Sequence, residues 1–133
     1  MMRLHVYSIF TSDLMKTATA RADDARISLK HSMVICDQLR GKKLDKAKSF
    51  LENLLFKKIS LDGKYHPTAS KKILEILKAA EANAKVKGLN PDKIFIKQIK
   101  GDKSRNFMRP RSRWRLRGRK AKATNILVLL EER

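Results

Sequence analysis

The sequence is poor in the residues that build disulfide frameworks, aromatic cores and chain breaks. It has one cysteine, one tryptophan, three prolines and five glycines in 133 residues. The single cysteine, Cys36, excludes an intrachain disulfide and is typical of a reducing compartment. No apolar run approaches the roughly 20 residues that a membrane-spanning helix needs. We therefore expect a cytoplasmic protein that is not associated with a membrane.

Acidic residues are scarce relative to basic ones. The chain has 13 Asp and Glu against 32 Lys and Arg, a formal net charge of +19. Residues 103–122 hold ten positive charges and no acid, which leaves 22 basic and 13 acidic residues in the rest of the chain. A field of this sign attracts polyanions without sequence recognition. Nucleic acid is the first candidate partner, and an anionic membrane surface is the weaker second.

Motifs for catalysis are missing as well. The three histidines are scattered, and none stands at metal-ligand spacing from Cys36, which lies with Met33 on the apolar face of a predicted helix. There is no glycine-rich phosphate loop and no paired-carboxylate motif. Asp23-Asp24 could hold a magnesium ion, but such a pair beside a helix start is more often local charge. We predict that the protein is not an enzyme and has no metal or other cofactor.

Residues 97–122 carry the densest charge, with twelve Lys or Arg against a single acid. Arginine occupies every second position from Arg109 to Arg119. A period of two places side chains on one face of a strand, whereas a helix would spread them around its axis. Strand-like apolar runs flank the segment on both sides. We predict a long β-hairpin over about 94–130, with a solvated basic tail as the alternative.

Apolar periodicity before the basic segment predicts one strand and three helices. KTATARA (16–22) alternates as a short strand does, with its alanines on one side. The first helix is predicted over 29–40 with Ser28 as its N-cap, and the second follows Asp45 as its N-cap. The third and longest helix is predicted over 68–87.

These elements predict an α/β (α+β) protein. Three helices pack on a small antiparallel sheet, and a long, basic β-hairpin protrudes from it. We expect a single domain over 16–133 and an N-terminal arm over 1–15, since the first residues show no clean signal for cleavage.

The candidate binding residues are mostly basic, because a guanidinium donates bidentately to phosphate and stacks on bases. One group surrounds Gly41 at a helix end, where compensation of the helix dipole and solvation are the alternative to an RNA contact. Another lies in the first turn of that helix. Trp114 stands among the arginines, where it would either stack on a base or fold back on its own arm. The candidate RNA-binding residues are Lys30, His31, Arg40, Lys42, Lys43, Lys97, Lys100, Lys103, Arg105, Arg109, Arg111, Arg117, Arg119, Lys120 and Lys122.

Three stretches of the sequence resemble one known family. They are ARISLKHSMVICDQLRGKKLDKAKSFLENL, EANAKVKGLNPDKIFIKQI and FMRPRSRWRLRGRKAKATNILVLLEE. The first resembles the RIS-x-K…IRGK…A…L opening of the large-subunit ribosomal protein family numbered twenty-two (universal ribosomal protein L-twenty-two). The others resemble its third-helix ending with the first hairpin limb, and its hairpin tip with the return strand. The resemblance covers about residues 17–132 and favours the archaeal and eukaryotic branch.

The resemblance implies a structural constituent of the large ribosomal subunit. It implies binding to large-subunit ribosomal RNA, help with its assembly, and a hairpin that helps line the nascent-polypeptide exit tunnel. Neighbouring ribosomal proteins and the nascent polypeptide would be further partners, and no homo-oligomer is expected. Trp114 departs from the small residues common at its position in the family. The residues carried over to the tunnel-lining tip are Arg111, Ser112, Arg113, Trp114 and Arg115.

A DNA-bending architectural protein with a basic β-arm is the alternative function. Such proteins are dimers that wedge apolar residues into the minor groove. The tip of the arm predicted here is too dense in arginine for such an apolar wedge, and three helices precede the arm. A DNA-bound homodimer in place of an RNA-bound monomer would reverse the order of the two hypotheses.

Overall fold

A computed structural model of the protein describes residues 16–110 and 117–133. None of the helices in these ranges is both long and apolar enough to cross a bilayer. The expected N-terminal arm and hairpin tip lie outside the described residues, and both stay predictions. The elements in chain order are β1 (Thr17–Ala25), α1 (Leu29–Leu39), α2 (Leu44–Leu55), α3 (Pro67–Val86), a 3-10 turn (Pro91–Lys93), β2 (Ile94–Lys103), β3 (Phe107–Met108), β4 (Lys120–Ala121) and β5 (Thr124–Glu132).

The last strand, β5, is the central strand of a three-stranded antiparallel sheet in the order β1–β5–β2. Its alternate residues Thr124, Ile126, Val128 and Leu130 are buried, and those between them are only partly covered. This alternation is typical of an antiparallel sheet that packs on one face. Further along the basic segment, the short strands β3 and β4 pair with each other.

A β-bulge in β2 explains why its buried residues do not alternate strictly. Ile96 pairs with Leu130 and Gln98 pairs with Leu129, so Lys97 is an extra residue with no partner of its own in the register. The inserted residue shifts the alternation by one position. Ile96 and Ile99 therefore both reach the core, while Lys97 stays exposed.

The three helices cover the buried face of the sheet, which confirms the predicted α+β architecture. Helix α3 packs on β1 and β5, α1 packs on β2, and α2 packs on α3. Ala18 and Ala20 of β1 and Ala80 and Ala84 of α3 are all buried, and small side chains let a helix approach a strand closely. The predicted strand with alanines on one side is confirmed, and it continues to Ala25.

Polar side chains of α3 bond to the outer edge of β1. Asn83 Nδ2 donates to the carbonyl of Thr19 at 2.8 Å, and Lys87 Nζ donates to the carbonyl of Thr17 at 2.9 Å. These bonds satisfy carbonyl groups that an edge strand otherwise leaves open to pairing with another chain. They also fix α3 along the strand.

Two local predictions about the helices need correction, and a third, the position of the first N-cap, is confirmed. Ser28 is the N-cap residue of α1, but its side chain makes no capping hydrogen bond. Helix α2 begins at Leu44, so Asp45 lies in the first turn, where its charge favours the helix dipole, and is not the cap. Met33 is 51% exposed. The buried face of α1 instead includes the smaller Ser32, which lies near Gly101 of β2.

The core predicts a clear contrast between two helix substitutions. Leu51 of α2 is fully buried, and its change to Ala should cost about 2–5 kcal/mol of the free energy of unfolding because it leaves a cavity. Val86 of α3 is 88% exposed, and Val86→Ala should change that free energy by less than about 0.5 kcal/mol. Urea unfolding followed by circular dichroism measures both. Equal midpoint shifts for the two variants would contradict the core described here.

Candidate nucleic-acid interface

The turn between α1 and α2 brings two basic groups, distant in sequence, to one edge of the sheet. Gly41 N donates to the carbonyl of Ile96 at 2.9 Å, and Ile96 N donates to the carbonyl of Lys42 at 3.0 Å. Gly41 has a φ of +76°, which glycine adopts without steric cost, and it ends α1 as the sequence predicted. Arg40, Lys42 and Lys43 are therefore held beside the part of β2 that carries Lys97.

Close to the sheet, several candidate cations lie near carboxylates. The pairs, with their nitrogen–oxygen distances, are Lys97–Glu131 (3.3 Å), Lys100–Asp102 (3.8 Å) and Arg40–Asp37 (3.5 Å). The cations of these pairs are about half exposed, and such pairs contribute about 0–1 kcal/mol each. These side chains are therefore free to exchange a carboxylate for a phosphate at little cost.

Asp24 joins β1 to the start of the basic segment. Arg105 donates to Asp24 Oδ2 from Nε at 3.0 Å and from Nη2 at 2.8 Å, and Ser104 Oγ donates to Oδ1. The backbone N–H of Asp24 donates to Asn125 Oδ1 at 2.9 Å. Asp24 sits at the β1 bulge with a φ of +53°, a region that Asp tolerates better than most residues. We call these four residues the Asp24 clasp.

The clasp gives Asp24 a role that the sequence did not reveal. The sequence assigned the Asp23-Asp24 pair to local charge, yet Asp24 bonds to a residue 81 positions away. The hydrogen bonds from Ser104 and from Arg105 hold the pKa of Asp24 below its usual value of 3.8. Arg105, a candidate RNA-binding residue, is thus engaged with the domain and fixes where the basic segment leaves it.

Further from the sheet, the described candidate cations have no carboxylate partner. No acid occurs in the sequence between Asp102 and Glu131. Within residues 16–110 and 117–133, none of the cations of this segment beyond Arg105 lies within 4.0 Å of a carboxylate, and all of them are exposed. An unpaired guanidinium or ammonium keeps its water or takes a counter-anion. These unpaired cations are Arg109, Arg117, Arg119, Lys120 and Lys122.

A groove of about 1030 Å³ connects this segment to the helical layer. Four of the predicted residues line it: His31, Arg109, Lys120 and Lys122. Three further basic residues also line it and were not predicted from the sequence: Arg26, Lys64 and His66. They lie in turns without periodicity, and long-range packing alone brings them to the groove, so no sequence pattern points to them. We call this feature the basic groove.

The other predicted residues lie apart from the groove. Lys30 is exposed on α1, and Lys103 is exposed at the end of β2. Lys42 Nζ lies 4.4 Å from the centre of the Phe50 ring. Cys36 is buried as predicted, and burial raises the pKa of its thiol to about 12, which makes it a poor nucleophile. Arg111 and the other tip residues lie outside the described residues.

The fold and this charge distribution define a small α+β protein with a concentrated cationic surface at one end of its sheet. Its family follows from comparison with known proteins. Residues 20–131 match the model of the family described as ribosomal protein L22p/L17e. The chain belongs to this family, which confirms the resemblance seen in the sequence and the prediction that the protein is not an enzyme.

Several archaeal proteins named large ribosomal subunit protein uL22 are similar over nearly their whole length. The protein of Methanopyrus kandleri is 34% identical, and the match covers 96% of this chain and 95% of that protein. The protein of Methanococcus vannielii is 35% identical over 91% and 93%, and that of Methanocaldococcus jannaschii is 36% identical over 88% of each. The chain therefore lies in the archaeal-like branch of the family.

The Asp24 clasp predicts a pH-dependent loss of stability. Because the pKa of Asp24 is lowered in the folded protein, its contribution is present above the ordinary value of 3.8 and is lost as the pH falls through the lowered value. Asp24→Asn should lower the melting temperature by a few degrees at neutral pH, and the difference from wild type should shrink in acid. Thermal melts at neutral and acidic pH measure this.

Asp23→Asn is the matched control for that prediction. Asp23 is the preceding acid on the same strand, and it pairs only with the nearby Arg21 in the described part of the chain, at 2.6 Å. Its removal should change the melting temperature much less than Asp24→Asn does. If the two variants melt alike at neutral pH, the clasp does not stabilise the fold.

Proposed function

We propose that the protein is a structural constituent of the large ribosomal subunit, in the cytoplasmic ribosome, where it binds large-subunit ribosomal RNA. The observation that carries this proposal is the separation of charge along the chain. Carboxylates pair with the cations near the sheet, whereas residues 109–122, which we call the distal segment, contain no acid. Membership in a ribosomal protein family favours this function over the DNA-bending alternative.

The unpaired distal cations are the main RNA contacts. Arg109, Arg117 and Arg119 flank the tip, and Lys120 and Lys122 follow on the return limb. Side chains with no internal anion are satisfied when phosphates surround them, and guanidinium groups bind phosphate in a bidentate geometry. Each such contact releases counterions from the RNA, which gives binding that is strong and salt-dependent.

The cations at the edge of β2 form a second contact region. Backbone hydrogen bonds hold the main chain of Arg40, Lys42 and Lys43 beside the strand that carries Lys97 before any partner binds. Cations on a fixed backbone match the phosphate spacing of one folded RNA better than that of another, because this spacing differs between RNA surfaces. Lys100 and Lys103 extend this region along the strand, and Lys30 adds a further exposed cation on α1.

The hairpin tip has a separate role in this proposal. It helps line the exit tunnel, and the limbs of the hairpin stabilise the RNA around it during assembly. Neighbouring ribosomal proteins and the nascent polypeptide are its further partners, and the protein acts as a single copy. The tip residues concerned are Arg111, Ser112, Arg113, Trp114 and Arg115.

Sedimentation of a cell lysate at high salt tests the ribosomal assignment. The tagged protein should remain with the large subunit, because contacts buried in RNA survive conditions that screen exposed charges. A general RNA-binding protein of similar charge, added to the same lysate, serves as the control and should be released. Complete release of the tagged protein into the soluble fraction would contradict the proposal.

The unpaired cations predict a specific change in salt dependence. A variant with Gln at Arg117, Arg119 and Lys120 should bind a large-subunit rRNA transcript with a slope of log K against log salt that is about 2–3 less steep, since three phosphate contacts are lost. Filter binding over a series of salt concentrations measures the slope. The fold should be unaffected, because the three side chains are exposed.

A control variant removes the same charge elsewhere. Lys46, Lys58 and Lys78 are exposed on or near α2 and α3, away from the proposed contacts. Their replacement by Gln should leave the slope close to that of the wild type. Equal slopes for the two triple variants would mean that only net charge matters, and the distal segment would lose its assigned role.

A further inference from the structure

Two histidines meet inside the basic groove. The ring centroids of His31 and His66 lie 4.2 Å apart, with their planes tilted by 42°. Both side chains are half-buried, and Arg26, Lys120 and Lys122 line the same groove. The cations around the pair disfavour a positive charge on His66, and a bound anion would offset that repulsion. None of the described residues that line the groove is acidic.

The backbone at His66 is held in an unusual conformation. His66 has a φ of +44° and directly precedes Pro67. Residues other than glycine rarely adopt this region, and a following proline disfavours it further. The carbonyl of His66 accepts hydrogen bonds from Ser70 N at 3.0 Å and from Ser70 Oγ at 2.9 Å, which hold the conformation in place. Strain that the surrounding structure maintains is common at binding sites.

The charges that act on the pair are nearly all positive. Partial burial, then His31 and then Lys64, lower the pKa of His66 below its usual 6.5, and Asp62 on the same turn opposes them. Arg26 lies before α1 on the facing side, and Arg109, Lys120 and Lys122 enter from the paired strands β3 and β4 and their ends. Partial burial and these positive charges therefore lower the pKa of His66 and disfavour its protonated form in the free protein.

We propose that the His31–His66 pair binds a backbone phosphate of RNA, and that the groove binds this phosphate more tightly when His66 is protonated. The inference rests on the proposed function and adds a site and a pH dependence to it. A protonated imidazole donates from both of its nitrogens, and a phosphate accepts from several donors at once. Lys120 and Lys122, which line the same groove, give the phosphate further counter-charge.

The sign of the pH dependence follows from linkage. A bound phosphate raises the pKa of His66, so binding takes up a proton. The affinity for RNA should therefore rise as the pH falls from about 7.5 towards about 6, and level off once the histidine is charged in the free protein as well. Lysine and arginine keep their charge over this range and contribute no such dependence.

Fluorescence anisotropy with a labelled large-subunit rRNA transcript, at constant ionic strength, tests the site on the full-length protein. The wild type should bind at least about threefold more tightly at about pH 6 than at about pH 7.5. The double variant His31→Gln with His66→Gln should retain binding at the higher pH and lose the increase. Lys78→Gln, an exposed change on α3 outside the groove, should keep the increase of the wild type.

A second measurement uses the wild-type protein and needs no variant. The pKa of His66, followed by NMR of its ring protons in the wild type, should rise when the RNA is added. An unchanged pKa, or an increase in affinity that persists in the double variant, would overturn this inference and leave the proposed function intact. Failure of the wild type to bind the RNA at either pH would overturn both.

Discussion

Repulsion between like charges is the constraint on which the rest of this structure depends. Residues 103–122 carry ten positive charges and no acid, yet the strands on either side of them must meet in one sheet. The strand that returns from this segment, β5, is the centre of that sheet. Its buried Ile126, Val128 and Leu130 each contribute about 1.5–3 kcal/mol. Their burial offsets the repulsion between charges where β2 and β5, the strands on either side of the basic segment, pair in the sheet.

The carboxylates lie where the basic segment joins the sheet. Their contacts with the cations there are of two kinds, weak exposed pairs and one multiple contact at Asp24. Lys97 and Lys100 form weak, exposed pairs that a phosphate replaces easily. Asp24 accepts from two nitrogens of Arg105 and also from Ser104, which makes a firmer contact. Although Arg105 was predicted to bind RNA, its geometry suits positioning of the basic segment better.

Local patterns in the sequence were sufficient to locate the helices and the apolar strands, because the periodicity of each element depends on residues close in the chain. The errors arose where a distant neighbour decides the outcome. Met33 is exposed because the close approach of α1 to β2 at Gly101 suits the smaller Ser32. The meeting of His31 with His66 likewise depends on how α1 and the turn before α3 pack. No spacing in the sequence encodes it, and the RNA-binding residues themselves stay predictions.

In the proposed function, affinity and specificity come from different parts of the molecule. A flexible polycation binds any polyanion, because the release of counterions does not depend on sequence or shape. Recognition of one folded RNA requires cations at fixed separations. The hydrogen bonds at Gly41 and the Asp24 clasp set such separations between the turn after α1, the edge of β2 and the start of the distal segment. In the proposed function, the folded domain therefore selects the RNA surface, and the basic residues of 97–122 add most of the binding energy once they are placed there.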